Sequence, residues 1–507
     1  MKLFIFTLLL RYTVQCANIL FVGMYPSLNH QSYFQPIWKE LSLKGHQVVA
    51  LTPNPIGDPG LINLTEIDLS EAYHIAGLKS FPTIISKDLS SKDGLNRVFE
   101  LMEKIVIKEL MNPEVRILIA DKRRIFDVVI VEVHYPALFA FSTKFKCPLI
   151  TISSFGTLLN GHDAMGNPTH PALYPDLFYH KKHNLSFWER LEVTYYGFWF
   201  RYFYKYDVLS KADAIAKKFF GIDTPYIGDI EKNISILLLN VNPVFYTPRP
   251  NVPGIVHLGH IYVKSDREIS KDLKKELDDA KEGVIYLSLG TALKSTNLSL
   301  QQRNIILKDL SELPYKILWK WEADHLPGQP ENFIIRKWVP QQAVLAHRNV
   351  KAFITHGSLR SIEEAIINHV PMIGMPFSAD QPFNIAEVVR SGIGLSINPN
   401  KLKKGQLRRA VLEVAENRKY HETVEKISKI LTDDVMSGVE RAVWWIEYVI
   451  RHKGAYHLRS PVLDLPTYQY YLLDVISFTF TGFMIIVVVT YRIIRIIVRG
   501  TIKVKKQ

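Results

Sequence analysis

Two cysteines in 507 residues are too few for a disulfide framework, and Cys16 falls at the end of a leader-like segment. Packing alone must hold the fold, with Cys147 left unpaired. No Asp-x-Asp triplet occurs in the chain and no Cys/His cluster has metal-ligand spacing, so the usual sequence marks of a divalent cation are missing. Net charge is +13, yet residues 492–507 supply six of the positive charges (Arg492, Arg495, Arg499, Lys503, Lys505 and Lys506) and no negative one. The body is therefore only mildly basic, and nucleic-acid binding is not indicated. Long apolar runs are scarce too: beyond the leader, only Val475–Tyr491, flanked by Leu472 and Leu473, is charge-free for the length of a thin bilayer. One span is too few for a transport pathway.

What is present is a globular composition, 47% hydrophobic and 22% charged, in a chain long enough for two or three domains. Residues 1–17 read as a secretory signal peptide, with Lys2 ahead of an apolar stretch that Arg11 interrupts and small residues near Ala17. The positive-inside rule puts residues 492–507 in the cytosol, 475–491 in the membrane and everything before them on the other side, including a juxtamembrane segment at 453–474. Lys503 and Lys505 have the spacing of a dilysine signal for retrieval to the endoplasmic reticulum. Asn63, Asn184, Asn233 and Asn297 each open an N-x-[ST] sequon, as a luminal chain would allow. A single-pass type I membrane protein of the endoplasmic reticulum is the expected topology.

The body alternates strands and helices. Asn18–Met24 is an apolar strand, Ser32–Leu43 a helix with Phe34, Ile37, Trp38 and Leu41 on one face, and Gln47–Thr52 a strand again. Apolar runs return at Phe126–Val131 and Pro148–Ser153, giving a doubly wound sheet over 18–260. Three prolines (Pro248, Pro250 and Pro253) and a charged stretch mark a passage, with the linker read as 261–282. The alternation restarts at Gly283 and continues to 452 as a second α/β lobe. Aromatic residues crowd Phe178–Tyr206, where packing, an apolar acceptor pocket and a membrane interface are all open readings.

The most informative segment is WVPQQAVLAHRNVKAFITHGSLRSIEEAIINHVPMIGMPFSADQ, from Trp338 to Gln381. A strand ending at Thr355, the turn His356-Gly357-Ser358 and a helix carrying Ile362, Ala365 and Ile366 present free N–H groups and the positive end of a helix dipole, which suit a diphosphate. This segment resembles the signature of the animal UDP-glycosyltransferases of glycosyltransferase family 1, and its motif order is similar to that of invertebrate, insect-like members. The resemblance extends over nearly the whole chain, through FDVVIVE, VIYLSLGT and YHLRSP.

The resemblance implies the GT-B fold, two Rossmann-like lobes facing across a cleft, with the helices near 435–451 packing back on the first lobe. It implies metal-independent, inverting transfer of a hexose from a UDP-sugar, UDP-glucose or UDP-glucuronate, to a hydroxyl of a small lipophilic acceptor. His30, read as a loop histidine after the first strand, matches the general base. Glu132 stands where the family has Asp to orient that histidine, and a salt bridge to a Lys or Arg is its other reading. Trp338 and Gln341 match the uracil contacts, His356, Gly357 and Ser361 the diphosphate contacts, Glu364 the ribose contact, and Asp380 and Gln381 the sugar contacts. Ser288 and Thr291 are further donor-side candidates. Ser358 replaces a usual Gly and Arg360 a usual Asn, so Arg360 either adds a cation to the diphosphate or crowds it. A non-catalytic nucleotide-sugar or lipophile-binding protein of the same fold is the alternative reading. Homo- or hetero-oligomer formation is left open.

Overall fold

The structure, a computed structural model, describes residues 16–75, 92–177, 179, 185–259, 261, 268–291 and 293–504. The leader before Cys16, the sequon at Asn184, and Lys505 of the dilysine spacing lie outside the described residues.

Short apolar runs with no polar face become strands buried on both sides, as a parallel sheet requires. In the first lobe these are β1 (Asn18–Val22), β2 (Gln47–Thr52), β3 (Leu64–Asp68), β4 (Val128–Glu132), β5 (Leu149–Ser153), β6 (Ile234–Leu239) and β7 (Ile255–His257), all parallel, in the order β3-β2-β1-β4-β5-β6-β7. The second lobe has β8 (Val284–Ser288), β9 (Lys316–Lys320), β10 (Phe333–Arg336), β11 (Val350–Thr355), β12 (Met372–Gly374) and β13 (Gly394–Ser396), in the order β10-β9-β8-β11-β12-β13. Each order reverses once, between β1 and β4 in one lobe and between β8 and β11 in the other. Side chains alternate between faces: Leu20, Val22, Val129 and Val131 enter one core, and Ile19, Phe21, Val128 and Ile130 the opposite one.

Helix α1 (Leu28–Leu43) buries Phe34, Ile37, Trp38 and Leu41, the face expected from its periodicity. It begins earlier than expected. His30 therefore sits in its first turn rather than in a loop, a correction with a local cause. Ser27 is extended and leads directly into the helix, and the fully buried Gln31 ties the first turn to the preceding strand. Its amide donates to Gly23 O and Tyr25 O at 3.0 Å each, and its Oε1 accepts from Thr52 Oγ1 at 2.9 Å.

The expected linker is only partly a linker. Residues Lys271–Asp278 form a helix whose Leu273 and Leu277 are buried with Val284 and Tyr286, so the second lobe's core starts before Gly283. The prolines precede β7 and hence lie within the first lobe. Late in the chain Gly438–Arg451 is helical, and its Ala442, Val443, Ile446 and Val449 join Ile19, Phe21 and Trp38 in the first lobe's core. Full burial of one Val or Ile is worth about 1.5–3 kcal/mol, so three of them make this return substantial.

Residues 460–507 form a separate unit. Its main element is a helix at Leu473–Val504, of which Leu473–Arg499 is long and apolar enough to cross a membrane. The helix continues beyond Tyr491 through the basic residues, further than the 475–491 span read from sequence.

Candidate active site

The carboxyl ends of the strands beside the two reversals face one another across the cleft between lobes, the position where doubly wound sheets bind ligands. From the first lobe come His30, one turn into α1, and Glu132, the last residue of β4. His30 Nδ1 shares a 2.7 Å hydrogen bond with Ser154 Oγ, whereas Glu132 Oε1 stands 3.9 Å away. Tyr25 and Phe155 meet the imidazole edge-on, with ring centroids 4.8 and 5.6 Å distant. With Nδ1 engaged, Nε2 is the nitrogen available to a ligand. Burial lowers the His30 pKa to about 4, so the ring is neutral at physiological pH. Burial raises Glu132 to about 8, opposed by a backbone hydrogen bond from Tyr25. Glu132 has no Lys or Arg among its ion-pair partners in the described residues, and its Oε2 is buried without a hydrogen bond. The salt-bridge alternative for Glu132 finds no support in this arrangement.

The second lobe contributes a cavity of about 370 Å³, within the size range of small-ligand sites. Ser288, Thr291, Trp338, Gln341, Ser358, Arg360, Ser361 and Glu364 line it, and Asn29 and Ser32, which flank His30 in sequence, close it from the first lobe. Trp338 is 52% exposed, an indole face turned to solvent rather than to the core. Gln341 Nε2 donates to Glu364 Oε2 at 2.6 Å and to Ser361 Oγ at 3.1 Å, and its Oε1 accepts from Tyr286 at 3.2 Å.

The turn after β11 explains two of its residues. Gly357 has φ +92°, and a Cβ there would lie 2.5 Å from Ile385 Cγ1, so only glycine fits without rearrangement. Ser358 has φ −63°, which any residue adopts, and its Oγ caps helix Leu359–Ile367 by accepting from Ser361 N–H. A serine where glycine is usual therefore carries no backbone strain. His356 is buried behind Gly290, its Nδ1 without a partner, and burial followed by the charge of Lys320 lowers its pKa to about 4.

Arg360 lines the cavity and also reaches beyond it. Its Nε donates to Glu364 Oε1 at 3.0 Å, its Nη1 to Ser32 Oγ across the cleft, and its guanidinium lies 5.9 Å from the Tyr33 ring. It is a bridge between lobes, anchored on the Glu364 carboxylate. Asp380 and Gln381 are not among the cavity-lining residues. Asp380 Oδ2 accepts from Asn384 at 2.6 Å, and Gln381 Oε1 accepts the N–H groups of Phe377 and Ser378 at 2.9 and 3.1 Å, bonds that hold their own loop.

Three participants escaped the sequence reading. Ser154 contacts the imidazole. Lys320, at the end of β9 and 7% exposed, donates to Gly290 O at 3.0 Å and to Glu322 at 2.8 Å at the cavity wall. Gln342 donates to Glu364 Oε1 at 3.2 Å. A second lysine, closing the strand KILWK, was the one available signal for Lys320. Among the described residues no group of three or more His, Cys, Asp or Glu side chains is placed to hold a metal ion.

The family model described as UDP-glucoronosyl and UDP-glucosyl transferase matches residues 22–507. The chain belongs to this family. UDP-glycosyltransferase UGT5 of Dactylopius coccus is 31% identical over 495 residues, covering 95% of this chain and 92% of that protein. UDP-glucosyltransferase 2 of the same insect is 33% identical over 484 residues, 93% and 92% of the two chains. Among solved structures, the glycotransferase of kitacinnamycin aligns with a TM-score of 0.57 at 20% identity, over 85% of this chain and 98% of that one. The fold is GT-B, and the chain is an insect-like UDP-glycosyltransferase that uses a UDP-sugar as co-substrate.

Proposed function

We propose that this UDP-glycosyltransferase moves a hexose, glucose in preference to glucuronate, from the UDP-sugar to a hydroxyl of small lipophilic acceptors, with inversion and without a metal. The observation that carries the reading is the position of His30 between Asn29 and Ser32, two residues that close the same cavity as Trp338, Gln341 and Glu364. In this reading the acceptor oxygen forms its bond to the anomeric carbon as the bond to the β-phosphate oxygen breaks. The acceptor proton passes to His30 Nε2, and UDP departs with the bonding electron pair. Neutral imidazole is the form that can take that proton. Glu132, 3.9 Å away, stabilises the imidazolium in the ionised form that it takes above about pH 8.

On the donor side, uracil stacks on Trp338 and the diphosphate is received by the N–H groups of Ser358, Leu359 and Arg360, by His356 Nδ1 and by the charge of Lys320. The orphaned nitrogen of His356 fits such a role, since a phosphate oxygen would supply its missing partner. Ribose hydroxyls bind Glu364, and Asp380 and Gln381 turn to the sugar once it is present. The name of the Dactylopius glucosyltransferase favours glucose.

In the proposed topology residues 18–260 and 283–452 are luminal and the helix from Leu473 anchors them to the endoplasmic reticulum. Helix α2 (Phe187–Phe203) favours a membrane interface over an acceptor pocket for the aromatic segment. Val193, Tyr196 and Phe200 face inward, while Trp188, Leu191, Tyr195, Phe198 and Tyr202 form one exposed stripe. The test of the function is glycoside formation by the membrane-bound enzyme from UDP-glucose and UDP-glucuronate across a panel of phenols. Turnover with UDP-glucose supports the reading. UDP binding without any glycoside would overturn it.

A further inference from the structure

A second cavity, about 520 Å³, opens beside the catalytic wall. Gly156, which lines it, follows Phe155, the residue whose ring meets His30. Pro382 and Phe383, which line its other side, follow the Asp380-Gln381 pair. Leu173, Leu177, Leu239 and Val241 make most of the remaining wall apolar.

One group does not belong in such a wall unless something meets it. Arg249 lines the cavity with its Nε and Nη2 buried and without hydrogen-bond partners. Its remaining contacts are weak neutralisers: Nη1 donates to His162 Nε2 at 2.7 Å, and the guanidinium lies 5.0 Å from the Tyr174 ring. Among the described residues no carboxylate is within ion-pair distance. The acids nearby are occupied, Asp176 by Leu159 N–H at 2.9 Å and Glu387 by Arg390 at 2.6 Å. Burial holds the Arg249 pKa down to about 10, still far above neutrality, so the charge persists. Two further orphaned donors line the same cavity, Thr157 Oγ1 and Thr247 Oγ1. A half-buried cation that Asp176 and Tyr174 offset only at a distance, with two N–H-bearing nitrogens left without partners, costs stability unless an anion completes it, and a carboxylate matches that edge.

We infer that this cavity seats the acceptor and that Arg249 receives a carboxylate carried by it, so the preferred substrates are lipophilic hydroxy acids. The inference rests on the glycosyl-transfer reading for its word acceptor. The anionic site itself does not depend on that reading.

Calorimetric titration of the full-length enzyme with p-coumarate and with its methyl ester separates the two. The acid should bind about tenfold or more tightly than the ester, and Arg249→Met should remove that difference while leaving UDP affinity unchanged. Arg249→Lys should keep part of it. Because no ion pair completes the cation without ligand, Arg249→Met should also melt no lower than the parent enzyme in ligand-free form, whereas a purely structural arginine would lower the melting point. Equal binding of acid and ester by the parent enzyme, or a preference for the acid that survives in Arg249→Met, would overturn the inference. Tight, Arg249-dependent binding of the acid with no glycoside formed from any phenol would uphold the anionic site and count against the catalytic reading instead.

Discussion

The hydroxyl of Ser154 lies 2.7 Å from Nδ1 of His30, closer by more than an ångström than the carboxylate of Glu132 at 3.9 Å. The residue that orients the imidazole is therefore the serine at the end of the neighbouring strand. Glu132 stands behind it, its pKa raised by burial to about 8. Ser154→Ala should lower kcat about tenfold or more by releasing the ring, with UDP affinity unchanged. Ser154→Thr, which keeps a hydroxyl, should restore most of the rate. Steady-state kinetics on the two variants decide the matter.

The buried pair also sets a pH dependence. Glu132 keeps its proton to about pH 8 in the folded state but loses it near the ordinary 4.5 when unfolded. Between those values the folded state binds the extra proton, so this group's contribution to stability falls as pH rises through the window. His30 behaves oppositely in effect: held near 4 against an ordinary 6.5, it binds fewer protons when folded, and stability rises as pH climbs from 4 to 6.5. Glu132→Gln should flatten the decline above pH 6.5 in melting temperature, measured in detergent. The same change should remove any rise in kcat approaching pH 8, where Glu132 ionises to face an imidazolium.

At the turn after β11 the two adjacent small residues should respond differently. Gly357→Ala places a Cβ against Ile385 at positive φ, and should cost about 1–3 kcal/mol of stability together with a marked loss of UDP affinity. Ser358→Gly removes only a helix cap at an ordinary φ, a change worth a few tenths of a kcal/mol. Thermal unfolding and UDP titration of both variants give the comparison.

The stripe on α2 makes a spatial prediction. In proteoliposomes containing brominated lipid, Trp188 fluorescence should be quenched, and the quenched component should vanish in Trp188→Phe. An unchanged quenching profile in that variant would place the stripe away from lipid.

Much of this fold was legible because a doubly wound sheet advertises itself. Runs such as VVIVE and LITIS lack a polar face, and helices such as α1 repeat their apolar positions every three to four residues. The second lobe's share of the cavity was legible for a different reason: Trp338, Gln341, Arg360 and Glu364 fall within one short segment. Contacts between distant segments were not. Ser154 meets His30 from 124 positions away, and Arg360 reaches Ser32 from 328 away, distances at which no local pattern survives. The start of α1 was obscured by polar residues that turn inward, since Gln31 satisfies backbone carbonyls rather than solvent. The helix at Lys271–Asp278 was hidden by its charge, which conceals two buried leucines.

The central claim is that an imidazole from one lobe activates the acceptor while the other lobe holds UDP. It is tested most directly by His30→Ala, with glycoside formation and UDP affinity measured on the same preparation. The account predicts loss of transfer by at least about a hundredfold, with UDP bound as tightly as before. Transfer at the parent rate in this variant would contradict it.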